Sequence, residues 1–258
     1  MSNSLLRIEG LDKHFGGLHA ICDLSVSVDA GKITAFIGPN GAGKTTIFNL
    51  VTGAIRADLG KVTYSGRDIT GLLPHQVAQA GIARTYQDLR LFERLSCEEN
   101  VMVAFPGQPG ERVMAALLQW GKVQQREAQL RVKALEILAF VGLADKRNAL
   151  AGDLGYAEAK MLALARVLAL DAPLLMLDEP CSGLDHSALD KVGKVMRELV
   201  AQGRTICLIE HNMALVREVA DYGIFLEHGR LIASGDVATL MEDQGLRRRY
   251  LGLAEAQV

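Results

Sequence analysis

The pattern of apolar and polar positions divides the chain into three parts. In the first part, apolar residues at positions 24, 26 and 28 alternate with polar ones, which predicts a strand with one solvent-facing side. Residues 33–37 form a nearly continuous apolar run, which is typical of a strand buried on both faces of a parallel sheet. A glycine-rich stretch begins at Gly38, and residues 45–51 are predicted to form a helix.

The middle part, from about residue 78 to residue 170, has mostly helical spacing. Residues 113–140 show the clearest periodicity, with a break near Gly121. In the last part strands and helices alternate again: strands are predicted at 174–177 and 205–209, helices at 187–201 and 213–220, and a hairpin at 224–233. This alternation predicts a parallel α/β sheet with a mainly helical segment inserted in its middle.

Composition narrows the class of protein further. The chain has 258 residues, of which 49% are hydrophobic and 22% charged, so it is expected to fold into a globular structure. The formal net charge of −2 argues against a dedicated nucleic-acid-binding protein, which usually carries a basic surplus. No run of 18 apolar residues occurs and no signal peptide is readable, so we expect no membrane-spanning segment.

Cysteines and most histidines give no pattern for a metal site. The cysteines are scattered without a CxxC pair, which is typical of a reducing compartment and indicates neither disulfides nor zinc. Five histidines lack metal-ligand spacing and are interpreted as surface or turn residues. These residues are Cys22, Cys97, Cys181 and Cys207, and His14, His19, His75, His186 and His228.

Residues 38–45 match the phosphate-binding pattern G-x-x-x-x-G-K-[ST] between a predicted buried strand and a predicted helix. Glycines allow backbone N–H groups to surround phosphate oxygens, and the helix N-terminus favours their negative charge. Lys44 is expected to reach the β- and γ-phosphates, and the Thr45 hydroxyl to bind Mg²⁺. The pattern therefore predicts a site for ATP and Mg²⁺.

A second candidate motif is an apolar run, residues 174–177, that ends in two carboxylates. Such a strand presents its acids at the carboxyl edge of a parallel sheet. Asp178 is expected to hold Mg²⁺ through water, and Glu179 to polarise the water that attacks the γ-phosphate. Many buried strands end in an acid, so this motif gains its weight from the phosphate-binding loop.

The order of these motifs resembles the nucleotide-binding subunit of ABC transporters over essentially the whole chain. The resemblance implies an α/β P-loop NTPase of the ABC ATPase type, with a RecA-like parallel sheet core, an N-terminal antiparallel β subdomain and an inserted helical subdomain. Residues 1–258 would form one ABC ATP-binding domain. Its catalytic core would cover about 1–87 and 166–258, and the helical subdomain about 88–165.

The resemblance also assigns roles to single residues. Gln87 matches the Q-loop glutamine, and His211 matches the switch histidine after a predicted strand; a plain surface residue and a strand-end histidine are the alternatives. Phe15 is expected to stack on adenine, although a core phenylalanine is an open alternative. The implied nucleotide-binding residues are Phe15, Gly38, Pro39, Asn40, Gly41, Ala42, Gly43, Lys44, Thr45, Thr46 and Gln87; the metal-binding residues are Thr45, Gln87 and Asp178; the catalytic residues are Glu179, His211 and Lys44.

More narrowly, the chain is similar to the ATPase subunits of the branched-chain (hydrophobic) amino acid uptake group, and to the longer of their two ATPases. Residues 14–17, 83–87, 209–213 and 250–252 carry this similarity. It implies an importer with a second ATPase subunit, two transmembrane permease subunits that dock on the helical subdomain, and an external solute-binding protein. It also implies a peripheral location on the cytoplasmic face of the plasma membrane; cargo and direction rest on the resemblance alone.

The signature segment departs from the family pattern. Gly155 stands where the family has a serine, Ala157 replaces a glycine and Glu158 replaces a glutamine, with Tyr156 between them. The resemblance implies that Gly155, Tyr156, Ala157 and Glu158 face the ATP of the partner subunit. A weak signature predicts a heterodimer with an intact partner ATPase. Two alternatives stay open: both sites hydrolyse ATP despite the change, or the chain is a regulatory nucleotide-binding subunit with little hydrolysis of its own.

Overall fold

Two β-sheets form the framework, and their strands come from both ends of the chain. The computed structural model describes residues 4–86, 88–107, 120–243 and 245–246. In chain order the strands are β1 (Ser4–Phe15), β2 (Leu18–Asp29), β3 (Ile33–Ile37), β4 (Leu59–Tyr64), β5 (Arg67–Asp68), β6 (Ile82–Arg84), β7 (Leu174–Asp178), β8 (Thr205–Ile209), β9 (Tyr222–Glu227) and β10 (Arg230–Asp236). The helices are α1 (Lys44–Val51), α2 (Pro74–Ala80), α3 (Cys97–Ala104), α4 (Trp120–Phe140), α5 (Tyr156–Leu168), α6 (His186–Ala201), α7 (Met213–Val219) and α8 (Val237–Glu242).

The sheet topology places the candidate motifs at one edge. Within the described residues, one sheet is antiparallel with the order β2-β1-β4-β5, and the other has the order β10-β9-β3-β8-β7-β6. In the second sheet β3 runs parallel to β8 and β9, and β7 runs parallel to β6 and β8. The carboxyl ends of β3, β7 and β8 therefore lie together, which is where ligands bind in open α/β sheets.

Burial explains why these strands form. Every residue of β3, β7 and β8 is buried, as expected for strands covered on both faces. In the core between the strands and α1, the rings of Phe36 and Phe48 pack edge to face with centroids 5.6 Å apart. This packing holds α1 against β3 and fixes the loop that joins them.

The chain divides into two compact units. One unit comprises Met1–Arg84, Ala172–Gly183 and Leu189–Val258, and the other comprises Thr85–Asp171 and Leu184–Ala188. Both sheets belong to the first unit, and α3, α4 and α5 belong to the second. The subdomain boundaries at about residues 88 and 165 stay a prediction.

A buried amide organises the helical unit. The Asn100 side chain is fully buried; it accepts the Phe92 N–H at 3.0 Å and donates to the carbonyls of Phe92, Leu95 and Ser96 at 3.0–3.2 Å. Ser96 caps α3, because its hydroxyl accepts the Glu99 N–H while the Glu99 carboxylate accepts the Ser96 N–H. The segment before α3 is thereby fixed to the helix.

The predicted elements differ from the structure in detail. The sequence pattern predicted no element at β4, β5 or α2, since these are short and lack clear periodicity. The predicted helix over 113–140 is described from Trp120 onward; residues 108–119 and 250–252 lie outside the described residues. None of the helices described is both long enough and apolar enough to cross a bilayer.

Candidate nucleotide-binding site

The loop between β3 and α1 is shaped by glycines that no other residue could replace without a shift. At Gly38, φ is 157° and an added Cβ would lie 2.2 Å from the Leu226 carbonyl oxygen. At Gly43, φ is 96° and an added Cβ would lie 2.6 Å from Ile21 Cδ1. The loop can therefore run close to its neighbours and deliver the first-turn N–H groups of α1, which have no partner within the helix, to a bound anion.

Lys44, the first residue of α1, is directed into this loop. Its ammonium donates to the carbonyl oxygens of Gly38 at 2.7 Å and Pro39 at 2.9 Å, and the residue is buried. Burial lowers the pKa of Lys44, while the charges of Glu179 and Asp178 act in the opposite direction. The lysine thus lies near both carboxylates at the end of β7, and the neighbouring Thr45 is exposed.

Glu179 and His211 form a pair at the carboxyl edge of the sheet. His211 Nε2 lies 3.1 Å from Glu179 Oε1, and the Glu179 N–H donates to the Ile209 carbonyl at 3.0 Å. Glu179 adopts a φ of 49°, the left-handed region that turns the chain sharply after β7. A carboxylate next to an imidazole at this edge suits proton transfer from a water.

Glu210 is a site residue that the sequence reasoning missed. Its buried carboxylate accepts the Cys181 N–H at 2.8 Å with Oε1 and the His211 N–H at 3.2 Å with Oε2. It therefore joins the turn after β7 to the turn after β8, and both turns carry members of the Glu179–His211 pair. An acid directly after the apolar run Thr205–Ile209 was the only sequence signal.

Arg84 is the second residue that the reasoning missed. Its Nη2 atom donates to Asp178 Oδ2 at 3.0 Å, and its Nη1 atom donates to Asn49 Oδ1 at 2.6 Å and to Thr52 Oγ1 at 3.3 Å. The side chains of Arg84 and Asp178 are only 5% and 3% exposed. Burial raises the pKa of Asp178, and the hydrogen bond and charge of Arg84 oppose that rise. The arginine thus connects the end of β7 to α1.

A cleft of about 430 Å³ gathers most of the predicted residues. Phe15 lies at its rim with 46% of its surface exposed, which excludes the alternative of a core phenylalanine. Gly38 and Pro39 do not line the cleft but accept hydrogen bonds from Lys44, and Asp178 does not line it either, because its buried side chain is bonded to Arg84. Gln87 lies outside the described residues. The predicted residues that line it are Phe15, Asn40, Gly41, Ala42, Gly43, Lys44, Thr45, Thr46, Glu179 and His211.

The signature segment begins α5 in the helical unit. Gly155 precedes the helix with extended backbone, and its N–H donates to Glu158 Oε2 at 3.1 Å. Glu158 Oε1 also lies 3.3 Å from Lys146 Nζ, so the charge of this residue is partly balanced within the helical unit. Tyr156 is 55% exposed at the N-terminus of the helix, with Lys160 Nζ 5.3 Å from its ring centroid.

The sequence profile of the family described as "ABC transporter" matches residues 21–182. The chain belongs to the ABC transporter family. That range includes the phosphate-binding loop, the signature segment and the Asp178–Glu179 end of β7. The fold class expected from the sequence is confirmed: the chain is an ATP-binding cassette of the ABC ATPase type.

Proteins with full-length similarity support this family. The chain is 33% identical over 255 residues to BraF of Pseudomonas aeruginosa, named a high-affinity branched-chain amino acid transport ATP-binding protein, and the match covers 98% of this chain and 100% of BraF. It is 35% identical over 259 residues to LivG of Salmonella typhimurium, a protein with the same description, again over 98% and 100% of the two chains. The resemblance seen in the motifs is thereby confirmed.

Solved structures give the same result for the fold. A nucleotide-free ATP-binding cassette from an ABC transporter superimposes with a TM-score of 0.83 at 29% identity, over 96% of this chain and 98% of the other. The ADP conformation of an ATP-binding cassette of an ABC transporter gives 0.81 at 28% identity, over 96% and 99%. The second structure shows that a cassette with this fold has an ADP conformation.

Proposed function

We propose that the chain hydrolyses ATP to power an ABC importer for branched-chain amino acids or a related small solute. The observation that carries the hydrolysis is the Glu179–His211 pair, 3.1 Å apart in a cleft that Lys44 and Thr45 also line. The branched-chain cargo is supported by the names of BraF and LivG and by the motifs shared with that group. ATP is the substrate in this proposal.

The phosphates are bound by the loop and α1. The first-turn N–H groups of α1 face the phosphate oxygens, and Lys44 supplies a full positive charge. The exposed ring face of Phe15 stacks on adenine, since it lies at the rim of the same cleft. Together these groups orient the γ-phosphate toward Glu179.

The donors present suit Mg²⁺. The Thr45 hydroxyl would hold the ion directly and the Asp178 carboxylate through water, and oxygen donors of this kind are the ones that Mg²⁺ prefers. When bound, Mg²⁺ neutralises charge on the phosphates. Gln87 is proposed as a further ligand on the motif alone.

Glu179 and His211 carry out the proton chemistry. The Glu179 carboxylate accepts a proton from the water whose oxygen attacks the γ-phosphorus in line with the leaving ADP. With its proton on Nε2, His211 donates to Glu179 Oε1 and orients the carboxylate. His211 is also proposed to stabilise the transferred phosphoryl group, because its ring faces the same cleft.

The proposed assembly pairs this chain with a second ATPase subunit on the cytoplasmic face of the membrane. Each ATP is bound between the loop of one subunit and the signature of the other. The loop half of this chain has its expected residues, whereas its signature lacks the serine hydroxyl at Gly155. A heterodimer with an intact partner therefore has one fully equipped site, built on this chain. Two permease subunits dock on the helical unit.

Steady-state ATPase measurements on the assembled complex test the hydrolysis. Glu179→Gln removes the base and is expected to lower turnover by about 10²- to 10⁴-fold while ATP still binds. Glu218→Gln, an exposed glutamate on α7, is the matched control and is expected to leave turnover unchanged. If the complex keeps its full rate with Glu179→Gln, the chemistry belongs to the partner and this chain is the regulatory subunit.

A second measurement tests the weak signature. A Cβ at Gly155 would meet nothing nearer than 3.8 Å, and the backbone there is ordinary, so a serine fits without strain. Gly155→Ser combined with Ala157→Gly restores one hydrogen bond to a charged phosphate, worth about 1.5–3 kcal/mol. We expect the second site to speed up by roughly ten- to a hundredfold. An unchanged rate in single-turnover assays would mean that the native signature already supports hydrolysis.

A further inference from the structure

The first hairpin brings together metal-ligating side chains that the proposed ATP chemistry does not use. His14 on β1 is paired directly with His19 on β2, and Asp12 lies two residues before His14. The ligand atoms of Asp12, His14 and His19 all lie within 4.8 Å of one another. We name these three residues the hairpin histidine cluster.

The distances in the cluster suit one small ion. Asp12 Oδ1 lies 3.2 Å from His14 Nδ1, and Asp12 Oδ2 lies 2.8 Å from His19 Nε2. A tetrahedral Zn²⁺ with bonds of about 2.0–2.1 Å separates its ligand atoms by about 3.3 Å. One carboxylate thus already lies between two imidazole nitrogens at nearly the required separations.

One ring must turn for both histidines to bind the same ion. The two rings are stacked with centroids 3.9 Å apart and planes 14° from parallel, so their in-plane lone pairs do not converge. The side chains of His14 and His19 are 50% and 38% exposed, which leaves room for rotation about the Cβ–Cγ bond. This rotation breaks the stacking of the His14 and His19 rings and allows both rings to bind the metal.

Neighbouring groups position the ligands and favour a cation. Asp12 Oδ2 also accepts the Asp23 N–H at 3.3 Å, and Asp58 Oδ2 accepts the His14 N–H at 2.6 Å. Such outer contacts orient metal ligands and raise their affinity. Lys13 Nζ lies 2.6 Å from Asp58 Oδ1 and balances that charge, so the Asp12 carboxylate leaves the surroundings net negative when the imidazoles are neutral.

We infer that the hairpin histidine cluster binds one divalent transition-metal ion of the Zn²⁺ class. Two imidazoles and one carboxylate are a donor set that Zn²⁺ uses together with water, whereas Mg²⁺ and Ca²⁺ prefer oxygen ligands. The site is therefore distinct from the metal that accompanies ATP. Because His19 and Phe15 also line the nucleotide cleft, a bound ion fixes the hairpin end beside the proposed adenine position.

Calorimetric titration of Zn²⁺ into the tag-free, chelator-treated full chain tests this site. We expect one equivalent to bind, and His14→Gln and His19→Gln each to weaken binding at least tenfold. His75→Gln, an exposed histidine on α2, is the matched control and keeps the native affinity. Binding of Co²⁺ to the native chain, followed by its visible absorption, gives an independent readout of nitrogen and oxygen ligation.

Any one of three results would refute the site. They are the absence of saturable Zn²⁺ binding, native affinity in both cluster variants, and a Co²⁺ spectrum of a six-coordinate ion with oxygen ligands alone. Thermal melts of the variants show whether they fold. If they do not fold, the Co²⁺ spectrum of the native chain still tests whether nitrogen ligands bind the metal. No nucleotide is present in these titrations, so their outcome is independent of the proposed ATPase function.

Discussion

Replacing Arg84 with methionine should lower the free energy of unfolding of the first unit by far more than the loss of one exposed charge would. The side chains of Arg84 and Asp178 are almost fully buried, and the variant leaves the Asp178 carboxylate in the interior without its cation. Breaking a buried ion pair from one side typically costs about 3–5 kcal/mol. The lost hydrogen bonds to Asn49 and Thr52 fall within that range, because Asn49 is only half-buried and the Thr52 hydroxyl keeps its hydrogen bond to the Phe48 carbonyl at 2.7 Å.

Urea unfolding followed by circular dichroism measures this cost. Arg7→Met is the matched control, because Arg7 and Glu9 are 3.8 Å apart and about half exposed, and such pairs contribute roughly 0–1 kcal/mol. The double variant Arg84→Met with Asp178→Asn removes both charges and should recover much of the loss. A cost of less than about 1 kcal/mol for Arg84→Met would refute a buried ion pair of this strength, and so would a double variant whose cost equals the sum of the two single ones.

Three further predictions concern packing and burial. Asn100→Ala should lower the free energy of unfolding by about 2–4 kcal/mol in urea titrations, because it leaves several buried backbone groups unpaired; a loss below 1 kcal/mol would contradict this. Gly229→Ala places a Cβ 2.3 Å from the Ala20 carbonyl oxygen and should clearly lower Tm. Gly66→Ala is the control, because Gly66 has a similar φ but open space around the added Cβ, and equal decreases in Tm would show that the clash is not the cause. Burial raises the pKa of Cys207 to about 12, so its thiol stays neutral and iodoacetamide at pH 8 should modify it only in urea; mass spectrometry of its peptide would reveal labelling of the native chain.

The fold and most of the cleft could be predicted because their signals are local in sequence. A glycine-rich loop after a buried strand specifies its own geometry, and an acid at the end of such a strand must lie at the carboxyl edge of the sheet. Lys44 and Glu179 are therefore found from these local signals and His211 from the family resemblance, and the structure places all three around one cleft.

The contacts that could not be predicted depend on register between distant segments. Arg84 meets Asp178 because β6 pairs with β7, and it meets Asn49 because of how α1 is rotated. His14 and His19 meet because the hairpin pairs them, and register shifts between Leu11 and His14 hide this from simple alternation. No spacing rule along the chain contains that information.

The contacts of Glu210 limit how this site can be transferred to another protein with a parallel sheet. Its carboxylate holds two backbone N–H groups, one in each of two turns, and the Glu179 N–H donates to the strand that precedes His211. The smallest unit that could be transferred is therefore the ends of β7 and β8 together with the turns that follow them, and not the side chains of Glu179 and His211 alone. Engineers who copy only the glutamate and the histidine onto a new scaffold should obtain the right residues at the wrong spacing.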